Sequence, residues 1–393
     1  MEHKTRIKGN VHYVGVNDRN KHRFEGMWPL PYGVSYNSYL IDDEMVALVD
    51  TVDICYFEVY LRKIKQVIGE RPINYLIINH MEPDHSGSIR LIKQHYPEII
   101  IVGNKQTFGM IEGFYGVTGE QYLVKEGDFL ALGHHKLRFY MTPMVHWPET
   151  MMTFDETDGV LFSGDGFGCF GTVDGGFLDT RINVDKYWGE MVRYYSNIVG
   201  KYGSPVQKAL QKLGGLPISA ICSTHGPVWT ENIAKVIGIY DRLSRYDADE
   251  GVVIAYGSMY GNTEQMAEAI AEELSAQGVK NIVMHNVTKS HPSYIIADIF
   301  RYKGLIIGSP TYSNQIFPEV EALLSKILLR EVKGRYLGYF GSFTWAGAAV
   351  KRLAEFAEKS KFELVGDPVE MKQAMKDLTY TQCENLARAM ADR

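Results

Sequence analysis

The sequence predicts an α/β protein in two parts, on three observations. Short apolar runs end repeatedly at loops rich in His and carboxylate side chains up to residue 226, a charged stretch covers residues 241–250, and a new strand–loop–helix pattern starts after it. The length of 393 residues is long for one core. An apolar fraction of 45% and a charged fraction of 22% are ordinary for globular chains. The formal charge of -6 argues against a nucleic-acid footprint, which needs a basic face. Mild acidity of this size fits a solvated surface.

In chain order, residues 11–16, 38–41 and 45–49 read as strands separated by turns. Asp50-Thr51-Val52 follows the third, and Asp50 is open to two uses, a turn acid or a support for a nearby site. Residues 75–78 form the next apolar run and lead into Asn79-His80-Met81-Glu82-Pro83-Asp84-His85-Ser86-Gly87, with a helical pattern from residue 89. Reduced to its chemistry the loop reads His-x-Glu-x-Asp-His, and it lies at a strand's carboxyl end, where open α/β sheets place their sites.

Three later runs stop the same way. Residues 139–141 lead toward His146, residues 160–162 end at Ser163-Gly164-Asp165-Gly166, and residues 218–221 end at Ser223-Thr224-His225-Gly226. Four strand ends then converge on His80, Glu82, Asp84, His85, His146, Asp165 and His225. A single catalytic zinc uses three protein ligands and an open position, so seven suggest two metals sharing a carboxylate. Imidazole and oxygen donors without a thiolate suit iron, manganese or zinc alike.

Other features exclude alternatives. Cys55, Cys169, Cys222 and Cys383 are scattered, without a Cys-x-x-Cys pair. A clustered-thiolate zinc, an iron–sulfur cluster or a rubredoxin-type iron site is therefore expected on another protein. The start has no apolar signal core and no run approaches the ~20 apolar residues of a membrane span, so a soluble cytoplasmic protein with reduced thiols is expected. His134 and His135, read as neighbours on a strand, would point to opposite faces and not chelate together. Residues 187–199 are helical in pattern, and Tyr195 there is a candidate hydrogen-bond or proton donor to substrate.

The charged run sets the domain boundary, giving residues 1–250 and 251–393. In the second part, residues 252–256 form a buried strand. Ser258-Met259-Tyr260-Gly261-Asn262-Thr263 joins it to a helix over 264–277, a loop able to wrap a phosphate on a helix N-terminus. The spacings of nucleoside triphosphate and dinucleotide loops are missing. Two further strand-end loops, Ser309-Pro310-Thr311-Tyr312-Ser313-Asn314 and Gly341-Ser342-Phe343-Thr344-Trp345-Ala346-Gly347, bring aromatic and amide groups to grip a flat ring at a switch point.

The four ligand-bearing segments resemble the metallo-β-lactamase fold, an αββα sandwich, and residues 252–393 resemble flavodoxin, a doubly wound parallel sheet that binds FMN. Glu82 stands where hydrolases of the first fold usually carry His, and in this the chain is similar to the flavodiiron proteins, whose domain order it shares over nearly its whole length. The resemblance implies reduction of dioxygen to water, or of nitric oxide to nitrous oxide, at a non-haem di-iron centre. It implies that His80, Glu82 and His146 hold one iron, Asp84, His85 and His225 the other, and that Asp165 bridges them. Trp147 would wall the metal pocket, and Trp345 would pack on the isoalloxazine with Thr311, Tyr312 and Asn314 at its edge. Rubredoxin, a flavin reductase or reduced deazaflavin would donate electrons, and the unit would be a head-to-tail homodimer or a dimer of dimers. Relatives often carry Phe-His-Gly near the metal entrance, whereas this chain reads Phe24-Glu25-Gly26. Electron counting agrees, since a two-electron flavin and two irons hold the four electrons that dioxygen needs. The alternative is a di-zinc hydrolase with an appended flavodoxin domain, which Glu82 disfavours.

Overall fold

A computed structural model describes residues 4–393. The chain divides into two compact units, Met1–Tyr195 with Tyr202–Asp241, and Ser196–Lys201 with Arg242–Arg393. The division falls earlier than residues 250/251, inside the helix Ile233–Ser244. The charged run is not a free linker, because the buried Arg335 guanidinium gathers the carbonyls of Tyr246, Ile299 and Phe300 at 2.7 to 2.9 Å. The short return of Ser196–Lys201 to the second unit has a similar cause: Asn197 donates to the Ser293 carbonyl at 3.0 Å and its own carbonyl accepts from Arg330 at 3.1 Å.

The first unit carries two facing sheets. One runs in the order Arg6–Lys8, Val11–Tyr13, Tyr39–Ile41, Ala47–Val49, Tyr75–Ile77, Ile100–Gly103, Gln121–Leu123, and the other Phe129–Ala131, Lys136–Met141, Met151–Asp155, Val160–Gly164, Ala220–Ser223. Their inner faces make one core, with Val49, Ile77 and Val102 from the first sheet and Leu137, Phe139 and Phe162 from the second. Parallel neighbours such as Ala47–Val49 and Tyr75–Ile77 require crossovers, and helices supply them. The helix Phe57–Ile68 buries Phe57, Tyr60, Ile64 and Ile68, a spacing of three or four that makes one apolar stripe. The result is an αββα sandwich whose ligand loops leave the carboxyl ends of Tyr75–Ile77, Val160–Gly164 and Ala220–Ser223.

The second unit is a doubly wound parallel sheet in the order Ile282–Asn286, Asp249–Tyr256, Tyr302–Tyr312, Tyr336–Phe343, with Glu363–Leu364 and Val369–Lys372 beside the last. That is the flavodoxin-like order, and the switch point lies between Asp249–Tyr256 and Tyr302–Tyr312. Two strands run on into the loops, to Tyr312 and Phe343, because they find extra partners. Thr311 and Tyr312 pair with Ile316 and Gln315 in a small hairpin, and Ser342 and Phe343 pair with Met371 and Lys372. Among the described residues no helix is long and apolar enough to cross a membrane.

Candidate metal centre and ring-binding cleft

The structure brings all seven expected ligand residues of the first unit into one buried cluster. Asp165 lies at its middle and divides its carboxylate between two groups. Its Oδ2 is 3.1 Å from His146 Nε2 and 3.7 Å from His80 Nε2, while its Oδ1 is 3.2 Å from His85 Nε2 and 3.5 Å from His225 Nε2. Glu82 completes the first group, with Oε2 3.1 Å from His146 Nε2. Asp84 completes the second, 3.3 Å from His225 Nε2 and 3.6 Å from His85 Nε2.

The donor chemistry fits cations. Among the described residues both Asp84 oxygens, His85 Nε2 and His225 Nε2 are buried without a hydrogen-bond partner, a costly arrangement unless a cation sits among them. Burial opposes charge on His80, yet its hydrogen bond to Glu149 and the Glu82 carboxylate 3.7 Å away outweigh this and lift it to about 9. For His85 burial likewise opposes charge, and Asp84 and Asp165 outweigh it, again to about 9. Burial raises the pKa of Asp165, but the surrounding imidazoles hold it well below the usual carboxylate range. Cations entering this cluster would take the place of the protons that its imidazoles hold.

A second layer fixes the first. Glu149 Oε1 lies 2.6 Å from His80 Nδ1 and accepts from the Met81 amide at 2.9 Å, so His80 Nε2 faces inward. The Ser35 carbonyl accepts from His225 Nδ1 at 2.8 Å with the same effect. Asp50 takes the amide and side-chain N–H of Asn79 at 2.8 and 3.0 Å, which answers its open role by bracing the ligand loop. Thr224 donates to Asp165 Oδ1. The Trp147 ring stands edge-on to His80 and His146 at 5.2 and 6.1 Å.

The tyrosine nearest the cluster is not Tyr195. The helix Asp185–Tyr194 widens into a π-turn over Tyr195–Val199, and consecutive residues there point in different directions. Tyr195 packs on Tyr240 at 5.0 Å, while Tyr194 lies 5.8 Å from His225. Burial, and after it the Asp165 carboxylate, push the Tyr194 hydroxyl pKa well up. His134 and His135 lie in a turn, not on a strand, and His135 bonds Asp155 at 2.9 Å. Glu25 lines a cavity of about 450 Å³ whose lining includes Glu82 and Asp84, with its Oε2 held by Trp28 Nε1 at 2.9 Å.

In the second unit the three loops close on a cleft of about 380 Å³. Ser258, Met259, Tyr260, Asn262 and Thr263 line it from the first loop, Pro310, Thr311, Tyr312, Ser313 and Asn314 from the second, and Ser342, Phe343, Thr344, Trp345 and Ala346 from the third. Gly261 and Gly347 do not line it. Gly261 turns the first loop at φ 89°, and a side chain at Gly347 would meet Glu370 at 2.5 Å. Trp345 is 81% exposed, so it is no core residue. No side chain caps the helix Asn262–Ala276, which leaves its first amides free for an anion. An exposed indole over a cleft beside an uncapped helix fits a flat ring that carries a phosphate.

Two family models match the chain: "ODP family beta lactamase" over residues 34–226 and "Flavodoxin" over residues 254–386. The anaerobic nitric oxide reductase flavorubredoxin of Vibrio vulnificus is 32% identical over 363 residues, covering 91% of this chain and 73% of the relative. Rubredoxin oxygen:oxidoreductase from Desulfovibrio gigas superposes with a TM-score of 0.95 at 31% identity, covering 99% of this chain and 98% of that one. The chain belongs to the flavodiiron proteins. The flavodiiron protein from Giardia intestinalis gives a TM-score of 0.92 at 27% identity, covering 98% of this chain and 94% of the other. As a flavodiiron protein the chain is an oxidoreductase, with FMN in its flavodoxin unit and a non-haem di-iron centre in its lactamase-like unit. The sequence reading missed Gln373, which also lines the flavodiiron protein's cleft, and Glu149, Ser35 and Tyr194 around its metal cluster.

Proposed function

We propose that this flavodiiron protein reduces dioxygen to water and nitric oxide to nitrous oxide at the buried cluster, with electrons passed through FMN. The observation that carries the reading is the division of Asp165 between two ligand groups, Oδ2 toward His80 and His146 and Oδ1 toward His85 and His225. Accordingly His80, Glu82 and His146 would hold one iron, Asp84, His85 and His225 the second, and Asp165 both. When bound, the irons supply Lewis acidity and one-electron redox chemistry, and FMN supplies electrons in ones or twos. One relative is named for nitric oxide and another for oxygen, which supports proposing both gases.

The chain's own residues bind, orient and exclude water. Glu149 and the Ser35 carbonyl hold His80 and His225 with Nε2 inward. Trp147 and Tyr194 pack against the cluster's imidazoles and keep bulk water away, which strengthens every electrostatic contact inside. In the flavodoxin unit the uncapped helix would take the FMN phosphate and Trp345 the ring, with Thr311, Tyr312 and Asn314 at its edge. We take the donor to be rubredoxin, a flavin reductase or reduced deazaflavin, and the unit to be a head-to-tail homodimer or dimer of dimers in the cytoplasm. That part rests on family resemblance.

Steady-state turnover of both gases by protein loaded with iron and FMN tests the reading. The expected result is oxygen uptake and nitrous oxide formation, both lost in His146→Ala while the flavin stays bound. Full zinc occupancy with hydrolase activity and no iron-dependent gas reduction would reject it.

A further inference from the structure

A second group of ligand-type side chains lies at the other end of the second sheet, within the first unit. His135 sits in the turn between Phe129–Ala131 and Lys136–Met141. Asp155 ends the strand Met151–Asp155, and Asp158 lies in the turn that leads from it into Val160–Gly164. That last strand separates Asp158 from Asp165 by five residues, roughly 15 Å at about 3.3 Å per residue, so the two places are distinct. One ligand atom from each of His135, Asp155 and Asp158 lies within 4.8 Å of the other two.

The backbone holds each of them there. The His135 amide donates to Asp43 Oδ2 at 2.6 Å and its carbonyl accepts from the Leu132 amide at 2.9 Å, so the imidazole is turned inward and buried. Its Nδ1 lies 2.9 Å from Asp155 Oδ2, and Asp155 is fully buried. The Gly159 amide closes the turn on the Asp155 carbonyl at 2.9 Å, and the Ser219 hydroxyl fixes the Asp158 carbonyl at 2.6 Å. Gly9, in the turn between Arg6–Lys8 and Val11–Tyr13 of the first sheet, has φ 49°, and Asp158 Oδ2 fills the space that a Cβ at Gly9 would take.

The charges do not balance. One imidazolium can answer one carboxylate, and His135 with the Thr157 amide at 3.1 Å already serves Asp155. The half-buried Asp158 carboxylate has no hydrogen bond or ion pair among the described residues, and no Lys or Arg pairs with either acid. Charges withdrawn from water are paired or bind metals.

We propose that His135, Asp155 and Asp158 form a structural site for a divalent cation of the zinc class, separate from the iron cluster. An imidazole beside two carboxylates suits zinc better than magnesium or calcium, which take oxygen alone. Three protein ligands at about 2.0 to 2.2 Å and one water complete a tetrahedron. A small turn of the Asp158 side chain brings the three donors to that spacing. The cation would tie the turn before Lys136–Met141 to the turn before Val160–Gly164, and it takes His135 without the exposed His134.

Equilibrium dialysis of iron- and FMN-loaded protein against Zn2+, with iron measured on the same sample, tests the site. About one zinc per chain should bind beyond the full iron complement, and the melting temperature should rise with it. Asp158→Asn should keep its iron and FMN, bind that zinc at least about tenfold more weakly and lose the zinc-dependent rise. His135→Gln should do the same. If His135→Gln fails to fold, Asp158→Asn decides alone, since its carboxylate has no partner to lose. No zinc beyond the irons, zinc gained only as iron is lost, or zinc held equally by Asp158→Asn and wild type would each overturn the proposal.

Discussion

His80 Nδ1 and Glu149 Oε1 lie 2.6 Å apart, both residues fully buried, and this contact sets which face of His80 meets the metal cluster. A carboxylate behind a metal-ligating imidazole fixes its tautomer and raises its basicity. Glu149 Oε1 also takes the Met81 amide at 2.9 Å, so one oxygen braces both the ligand and its loop.

Glu149→Gln should therefore weaken iron retention by about 10- to 100-fold while FMN content stays unchanged. Competition against a calibrated ferrous chelator measures this. Retention equal to wild type would show that the contact is incidental.

The pH dependence of the metal-free protein follows from the same cluster. Burial opposes charge on His80 and His85, but neighbouring carboxylates outweigh it and lift both to about 9, above the ordinary 6.5. Each is bound more tightly to its proton when folded, so its stabilisation is complete below about 6.5 and is lost as pH rises through about 9. Chemical denaturation of metal-free protein across that window should show falling stability. A flat or rising profile would contradict it.

Trp345→Ala should raise the dissociation constant for FMN about tenfold, the loss of one aromatic face against the ring. Because Trp345 is 81% exposed, the melting temperature of flavin-free protein should hardly change. Flavin affinity by fluorescence quenching and iron content on the same sample check this. Equal FMN affinity would place the ring elsewhere.

Much of this was legible in the sequence, because strand ends announce themselves. His80, Glu82, Asp84 and His85 follow an apolar run directly, and Asp165 and His225 each follow another, so all are found by where periodicity stops. The flavin loops yielded for the same reason. What stayed hidden depends on rotation and long-range pairing. Tyr194 and Tyr195 are indistinguishable in sequence, and only the turn after Tyr194 decides which one meets His225. Ser35 reaches His225 across 190 positions, and no local pattern encodes that contact. Glu149 stands only three residues from His146, but its partner His80 comes from another strand end. Gln373 belongs to the turn after Val369–Lys372, a short strand whose partner is Tyr336–Phe343.

The proposed function has two irons grouped around Asp165 carry dioxygen all the way to water. The most direct measurement is the yield of hydrogen peroxide per dioxygen consumed by reduced protein of verified iron and FMN content. Four electrons consumed per dioxygen and almost no peroxide are expected. Stoichiometric peroxide at two electrons per dioxygen from fully iron-loaded protein would contradict that function.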